Sequence, residues 1–295
     1  MSGGKLNNIS DLVIKFSCPD QSGIVAAVAS LFNDIGFNIR ESSQFEDVQK
    51  KQFFMRTVFN VTAKQPPRFS IEQLRNEFCG LANKYEMRWE MHDLNYRPKV
   101  IIAVSKWGHC LNNLLNSWKL GSLPIDIVGV VSNHRDMQSL VEWYGLPYHY
   151  LEIVNGQKIE QEEGLRRLFT DTDTDFLVLA RYMQILSDTF CDDFSGRIIN
   201  IHHSFLPGFK GSKPYHQAFE RGVKLIGATA HFVTGDLDEG PIIEQAVERV
   251  SHANSPEELV SIGRDVEAVV LQRAVRWHAE HRVLLNGNKT VIFRR

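Results

Sequence analysis

Apolar and polar positions alternate in two different ways along the chain, and they divide it into two blocks that meet near residues 92–98. In the first block, stretches of period-two alternation predict strands, and apolar residues every three to four positions predict helices. The predicted elements are strands at 12–17, 38–46, 52–62 and 86–94 and helices at 24–35 and 70–85. The order strand–helix–strand–strand–helix–strand predicts a ferredoxin-like α+β domain.

The second block alternates strands with helices, which predicts a mostly parallel, Rossmann-like sheet with helices on both faces. Strands at 100–105 and 125–132 are near-continuous apolar runs, as strands covered on both faces require. Strands at 227–233 and 241–250 are expected to run back beside one another, and a long helix follows at 256–278 before a tail that can close as a hairpin. The other predicted elements are strands at 148–154, 176–180 and 197–201 and helices at 111–118, 138–144, 161–170, 186–194 and 215–221.

The seam before Pro98 predicts an α/β protein with two domains, at 1–97 and 98–295, which suits a chain of 295 residues. A hydrophobic content of 43% excludes a disordered chain. A net charge of −2 does not indicate a surface that binds nucleic acid. The four cysteines form no CxxC pair and are expected to be reduced thiols. Without a signal-peptide pattern or an apolar run of about 18 residues, we expect a soluble, cytoplasmic protein without nucleic-acid or membrane partners.

Candidate chemistry lies in the segment that follows the predicted strand at 197–201. Asn200 and His202 lie on one face of this strand because successive side chains point to opposite faces. They fall at the carboxyl end of a buried parallel strand, where open α/β sheets place their ligands. An asparagine amide can donate to an oxyanion, and a histidine can stabilise it and transfer protons near neutral pH. The pair therefore indicates acyl chemistry.

A carboxylate is needed beside the imidazole, and the loop at 234–240 offers Asp236, Asp238 and Glu239, among which spacing alone does not choose. The simpler interpretation of Asp236 is a turn cap. A structural role is also the simpler interpretation of an isolated histidine, and it applies to the group at 203, 216 and 231. No HxH or HxxxH pair with a third ligand is present, so the pattern does not favour zinc.

Four segments together resemble the folate-dependent formyltransferase fold over about residues 98–280. They read N-I-H-H-S-F-L-P from Asn200, G-x-x-x-x-H-Q-A from Gly211, G-A-T-A-H-F-V from Gly227 and D-x-D-E-G-P-I-I-x-Q from Asp236. The resemblance implies that Asn200, His202 and Asp238 act together in catalysis. Glu239 stands where many members have glycine, and His203 stands where transferases often have proline. The resemblance also implies that folate is bound by Arg181, Tyr182, Met183, Gln184, Ile185, Leu186, His231 and Val233.

The members of this family differ in the molecule that accepts the formyl group. Glycinamide ribonucleotide formyltransferases have a glycine-rich loop after the first strand, where backbone N–H groups approach a phosphate. Here the segment at 105–110 keeps one glycine, and Trp107 adds bulk. A methionyl-tRNA formyltransferase would need a basic surface and a tRNA-binding domain. We therefore expect water to replace the amine, so that 10-formyltetrahydrofolate is hydrolysed to formate and tetrahydrofolate.

In this scheme Asp238 activates and orients the water, while Asn200 and His202 stabilise the tetrahedral oxyanion. The chemistry calls for no metal and no cofactor besides the folate substrate. The released formate would supply purine synthesis and balance the one-carbon pool. The alternatives are a formyltransferase with an unfamiliar amine acceptor and a non-catalytic sensor of folate or amino acids.

The first block resembles an ACT domain, a small regulatory module, over roughly residues 10–92. The segment from 17 to 39 carries the resemblance through a D-x-x-G-I-V turn and a G-x-N-I run. It implies an amino-acid effector at the interface of paired modules, and therefore a homo-oligomer. The candidate effector contacts are Asp20, Gly23 and Asn38, although a turn or cap role is the simpler interpretation of Asp20.

Overall fold

The computed structural model of the chain describes residues 11–61, 70–152, 158–208 and 214–294. The loop predicted at 64–68 and the motif glycine Gly211 lie outside the described residues. The chain divides into two units. The first runs to Tyr96 and also takes in Glu280–Asn286 and the residues from Val291, and the second comprises Arg97–Ala279 and Gly287–Thr290.

The first unit contains a four-stranded antiparallel sheet and two helices, which confirms the predicted ferredoxin-like order. Its elements are β1 (Leu12–Pro19), α1 (Ile24–Asp34), β2 (Phe37–Asp47), β3 (Gln52–Val61), α2 (Ile71–Lys84) and β4 (Arg88–Asp93). The strands are ordered β2-β3-β1-β4. The helices cover the sheet with an aromatic core in which the rings of Phe32 and Phe59 stack with centroids 4.1 Å apart.

The second unit alternates strands and helices as predicted. Its elements are β5 (Lys99–Val104), α3 (His109–Lys119), β6 (Asp126–Ser132), α4 (Gln138–Trp143), β7 (Tyr148–Tyr150), α5 (Lys158–Asp171), β8 (Phe176–Leu179), α6 (Asp188–Asp193), β9 (Ile198–His202), α7 (Pro214–Glu220), β10 (Leu225–Phe232), β11 (Ile242–Arg249) and α8 (Pro256–Ala279). Helix α6 begins later than the predicted residue 186 because Ser187 caps it, its Oγ accepting a hydrogen bond from the Phe190 N–H at 3.2 Å.

The sheet of the second unit has the order β11-β10-β9-β8-β5-β6-β7. Strands β9, β8, β5, β6 and β7 are parallel, whereas β10 runs antiparallel to both of its neighbours. The chain leaves β5 toward β6 and β7 and later returns to the other side of β5 with β8. This reversal marks a topological switch point, and ligands of such sheets bind at the carboxyl ends of the strands beside it.

The tail forms two short strands, β12 (Val283–Asn286) and β13 (Lys289–Ile292), as the predicted hairpin. Residues 280–286 and those from 291 group with the first unit, although the predicted division at residue 98 places them in the second domain. Two buried arginines hold this segment. Arg56 and Arg282 both donate to Oε1 of Glu41, at 2.8 and 2.9 Å. Among the described residues, no helix is long and apolar enough to cross a membrane.

Candidate active site

The two polar residues of the N-x-H motif lie at the carboxyl end of β9. The side chain of His202 is buried, with 5% of the residue exposed. Strand β10 pairs antiparallel with β9, and the register sets His231 directly opposite Asn200. The Nδ2 group of Asn200 contacts Nε2 of His231 at 3.3 Å, and Nδ1–H of His231 donates to the Phe232 carbonyl oxygen at 2.8 Å. Strand pairing therefore brings a second imidazole to the site.

The loop between β10 and β11 brings the carboxylate. Gly240 allows this loop to close tightly, since a Cβ atom there would lie 1.7 Å from the Phe232 carbonyl oxygen. The Phe232 N–H donates to the Pro241 carbonyl oxygen at 2.9 Å, and Asp238 adopts a left-handed φ of 58°. This backbone directs the Asp238 side chain toward β9.

Asp238 contacts both imidazoles of the site. Its Oδ2 lies 3.1 Å from Nδ1 of His202, and its Oδ1 lies 3.6 Å from Nε2 of His231. Of the three acidic candidates, Asp238 is the one that the structure places against His202, whereas Asp236 and Glu239 are exposed. Burial alone would raise the pKa of Asp238, but the hydrogen bonds from His202 and His231 outweigh burial and hold that pKa well below its usual range. The carboxylate is therefore ionised at neutral pH.

The ring of His202 has a nitrogen that faces no group of the described chain. The Nε2 atom of His202 is buried without a hydrogen bond in the described parts of the chain. A buried polar atom without a partner is costly in a folded protein and calls for an explanation. Since Nδ1 of the same ring faces Asp238, Nε2 is the atom left to contact a ligand.

A cavity of about 330 Å³ opens beside this nitrogen. It brings together the three predicted catalytic residues and all of the predicted substrate-binding residues: Asn200, His202, Asp238, Arg181, Tyr182, Met183, Gln184, Ile185, Leu186, His231 and Val233. Sequence reasoning missed the other wall residues, which are Leu179, Cys191, Ile201, His203, Thr234, Gly235 and Leu237. Of these, His203 has a signal in the sequence, the doublet that it forms with His202, although a structural role is the simpler interpretation of that pattern.

The predicted folate loop at 181–186 follows β8, and Ser105 at the end of β5 holds it. The Ser105 N–H donates to the Arg181 carbonyl oxygen at 3.2 Å, and the Met183 N–H donates to the Ser105 Oγ at 3.0 Å. The Ser105 hydroxyl in turn donates to Oδ1 of Asn133 at 2.8 Å. The backbone of this loop is therefore fixed across the switch point of the sheet.

Side chains fill the segment that carries phosphate-binding glycines in the transferases. The guanidinium of Arg264 lies 4.6 Å from the centre of the Trp107 ring. A Cβ atom on Gly108 would lie 2.2 Å from the sulfur of Met137, and His109 contacts the buried carboxylate of Glu267 at 2.8 Å. These contacts leave a packed surface where a phosphate cradle needs open backbone N–H groups.

The candidate effector residues lie in the first unit. Asp20 is exposed in the turn after β1, and its N–H donates to the Lys51 carbonyl oxygen at 2.9 Å. Gly23 precedes α1 with a left-handed φ of 90°, which explains the glycine. Asn38 is exposed near the start of β2, opposite Asn60 of β3. The structure places these residues in the turn and strand positions expected of them, and their effector role stays a prediction.

Two family models match the chain, one described as formyl transferase over residues 98–275 and one described as ACT domain over residues 12–69. The fold and the site therefore define a member of the formyl transferase family that carries an ACT domain.

Its relatives are more specific. Formyltetrahydrofolate deformylases from Corynebacterium sp. (strain P-1) and Bacillus subtilis (strain 168) are 47% and 46% identical to this chain, and the matches cover 96% and 94% of it and 98% and 92% of them. A crystal structure of formyltetrahydrofolate deformylase from Burkholderia mallei ATCC 23344 is 50% identical, with a TM-score of 0.91 over 96% of this chain and 99% of that one. The chain belongs to the formyltetrahydrofolate deformylase family.

Proposed function

We propose that this protein hydrolyses 10-formyltetrahydrofolate to tetrahydrofolate and formate. The observation that carries the proposal is the contact between His202 and Asp238. It leaves Nε2 of His202 without a partner, beside a cavity that Asn200 also lines. The packed segment around Trp107 and His109 supports water rather than a phosphorylated amine as the acceptor. The names of the relatives agree with this reaction.

The site supplies two donors for the oxyanion. As water adds to the formyl carbon, negative charge develops on the formyl oxygen, and the Asn200 amide and a protonated His202 Nε2 are placed to donate to it. Removal of one such donor typically lowers turnover by about 10²–10³-fold. Asp238 holds the His202 ring in orientation and stabilises positive charge on it.

The sequence indicated that Asp238 also activates the water. Both of its oxygens face imidazole nitrogens, so its first action is on His202 and His231. Water bound beside this pair would still be oriented by the Asp238 charge. The reaction closes when the C–N10 bond breaks, a proton reaches N10, and the released formic acid ionises to formate.

The test is a single assay without an acceptor. Protein is mixed with 10-formyltetrahydrofolate, and formate and tetrahydrofolate are measured over time. Equal release of both products is the expected result. Turnover that starts only after an amine such as glycinamide ribonucleotide is added would instead identify a transferase. Folate binding without turnover under either condition would favour a sensor.

We further propose that the ACT region, within residues 1–97, binds a small amino acid between paired modules of a homo-oligomer in the cytoplasm, and that the released formate supplies purine synthesis. Glycine, serine and methionine are each added to the rate assay, with wild-type protein and with Asn38→Ala. A change of rate in the wild type that is reduced in the variant supports an effector site. A monomer by sedimentation, or no response to any of the three, contradicts the proposal. Point variants are used because deleting residues 1–97 would remove Glu41 and leave buried Arg282 without one of its two carboxylate partners.

A further inference from the structure

We propose that His203 is a further catalytic residue of this site, whose imidazole accepts the proton of the attacking water. The inference rests on the proposed hydrolysis. It assigns a residue to the removal of a proton from water, a step for which Asn200, His202 and Asp238 supply no free base. It gives a function to a residue that stands where the resembling transferases often have proline.

His203 has the position that this role requires. It lines the same cavity as His202 and Asn200. Its ring centre lies 5.1 Å from that of His202 and 6.4 Å from that of the buried Tyr215, so the ring is a neighbour of both side chains. A water molecule at the formyl carbon, held near His202, would therefore be within reach of the His203 ring.

Of the three imidazoles that line the cavity, His203 is the one for which neither ring nitrogen has a hydrogen-bond partner within the described residues. By contrast, His202 uses Nδ1 for Asp238, and His231 uses both nitrogens, for Asn200 and for the Phe232 carbonyl oxygen. Asp238 already has an imidazole nitrogen against each of its two carboxylate oxygens.

The charges around His203 keep its lone pair available. Burial, together with the positive charges of Arg181 and His202, lowers the pKa of His203 to about 4, against the smaller opposing effect of the carboxylates of Glu267 and Asp238. At neutral pH the ring is therefore uncharged. The environments of the two adjacent histidines differ, because a carboxylate contacts His202 and a guanidinium acts on His203. Neighbouring groups with opposed environments are the usual arrangement for an acid and base pair.

A buried network fixes the guanidinium that acts on His203. The Nε atom of Arg181 lies 3.4 Å from Oε2 of Glu267, which is 1% exposed in the interior of α8. The other carboxylate oxygen accepts a hydrogen bond from the Tyr215 hydroxyl at 2.6 Å. Burial would raise the pKa of Glu267, but the contact with His109 and the charge of Arg181 outweigh it, so the carboxylate stays ionised.

The proton balance of the step is complete. The water oxygen forms a bond to the formyl carbon as one water proton moves to His203. The oxyanion receives hydrogen bonds from Asn200 and His202. When the oxyanion re-forms the carbonyl, the C–N10 bond breaks, and the proton on His203 is transferred to N10, directly or through a water molecule. His203 returns to its neutral form.

The experiment compares His203→Ala and His203→Gln with the wild type and with His252→Ala, an exposed histidine remote in sequence from the motif. Formate release is measured without an acceptor, tetrahydrofolate binding is measured by tryptophan fluorescence, and the rates are repeated with added imidazole. Wild-type release establishes hydrolysis itself, so a wild type without activity contradicts the proposed function rather than this inference.

We expect both His203 variants to lose about 10²-fold or more in kcat, as removal of a general base does, with tetrahydrofolate binding retained. Imidazole is expected to restore turnover in His203→Ala but not in His203→Gln, because glutamine fills the space. His252→Ala keeps the wild-type rate. Either His203 variant retaining more than about one tenth of kcat would overturn the inference, since a base contributes more than this. Loss of folate binding together with turnover, or loss of turnover without rescue in His203→Ala, would likewise overturn it.

Discussion

The Oδ2 atom of Asp238 lies 3.1 Å from Nδ1 of His202, although the two residues are on different elements. His202 ends β9, and Asp238 lies in the loop after β10. The antiparallel register sets Phe232, at the end of β10, opposite Ile199 near the start of β9, and the loop that follows β10 folds back along β9 until Asp238 contacts His202. Because the carboxylate takes one nitrogen of the ring, the other is directed at the cavity. This one contact orients the imidazole, and it follows from strand topology rather than from spacing along the chain.

Replacing the Asp238 carboxylate by an amide, in Asp238→Asn, is expected to lower kcat at least 10²-fold. The amide lacks the negative charge that faces Nδ1 of His202, while the other walls of the proposed folate cavity are unchanged. Formate release and tetrahydrofolate binding are measured together. Asp236→Asn, on the same loop and exposed, is the control and should retain the wild-type rate. An Asp238→Asn enzyme with more than about one tenth of wild-type turnover would refute this role, because a positioned group contributes more.

Adding one methyl group in Gly240→Ala should displace the Asp238 loop. The new Cβ would lie 1.7 Å from the Phe232 carbonyl oxygen, so the backbone must move. We expect a destabilisation of about 3 kcal/mol or more, in the range of severe backbone clashes, together with loss of turnover. Urea unfolding measures the first effect and formate release the second. Gly80→Ala is the matched control, since its Cβ meets nothing within 4 Å. Equal stability of the two variants would show that the loop tolerates the methyl group.

The fold was predictable because apolar residues recur at regular spacings along the strands and helices of each unit. Strands such as β5 are nearly continuous apolar runs, and α2 follows Ser70, whose Oγ caps the helix by accepting from the Gln73 N–H at 3.3 Å. The start of α6 was less predictable because Leu186 continues the apolar pattern before the Ser187 cap. The grouping of residues 280–286 with the first unit depends on pairing with Glu41, far away in the sequence, and local pattern carries no information on it.

The candidate site was predictable only in part. Period-two alternation placed Asn200 and His202 on one face, but the choice of Asp238 over its neighbours needed the resemblance, and the structure supplies the reason in the left-handed φ of that residue. His231 and the buried Glu267 come from other elements. The sequence gives no distance between elements, so the contacts of His231 and Glu267 with the site become visible only in the fold.

Neutral His203 should make stability depend on pH. Its pKa is lowered from an unfolded value of about 6.5 to about 4 in the folded protein. Between these values the unfolded state binds the additional proton, so stability rises with pH through this window and is independent of His203 above it. His203→Gln removes the effect. At pH 5 the variant should gain about 1–2 kcal/mol relative to the wild type, compared with their difference at pH 8. Urea unfolding at both pH values measures this, and an unchanged difference would show that His203 titrates normally.

The buried arginines of the first unit predict an effect on stability. Arg56 and Arg282 are each 1% exposed and share Oε1 of Glu41. Burial would lower the pKa of Arg282, but the hydrogen bonds that it donates to Glu41 and Glu280 outweigh burial and raise that pKa. The guanidinium therefore remains charged. In Glu41→Gln two buried cations lose a common carboxylate.

Removing one partner of a buried ion pair costs about 3–5 kcal/mol, and partial exposure of the Glu41 side chain, 34%, reduces the expected loss to about 2–3 kcal/mol. Urea unfolding should show a lower midpoint. The control is Glu46→Gln, an exposed position on the same strand, which should change the free energy of unfolding by less than about 0.5 kcal/mol. If the two variants unfold at the same midpoint, Glu41 does not stabilise the arginine pair. Residues 280–286 would then be held in the first unit by apolar packing and by the other hydrogen bonds of the two arginines.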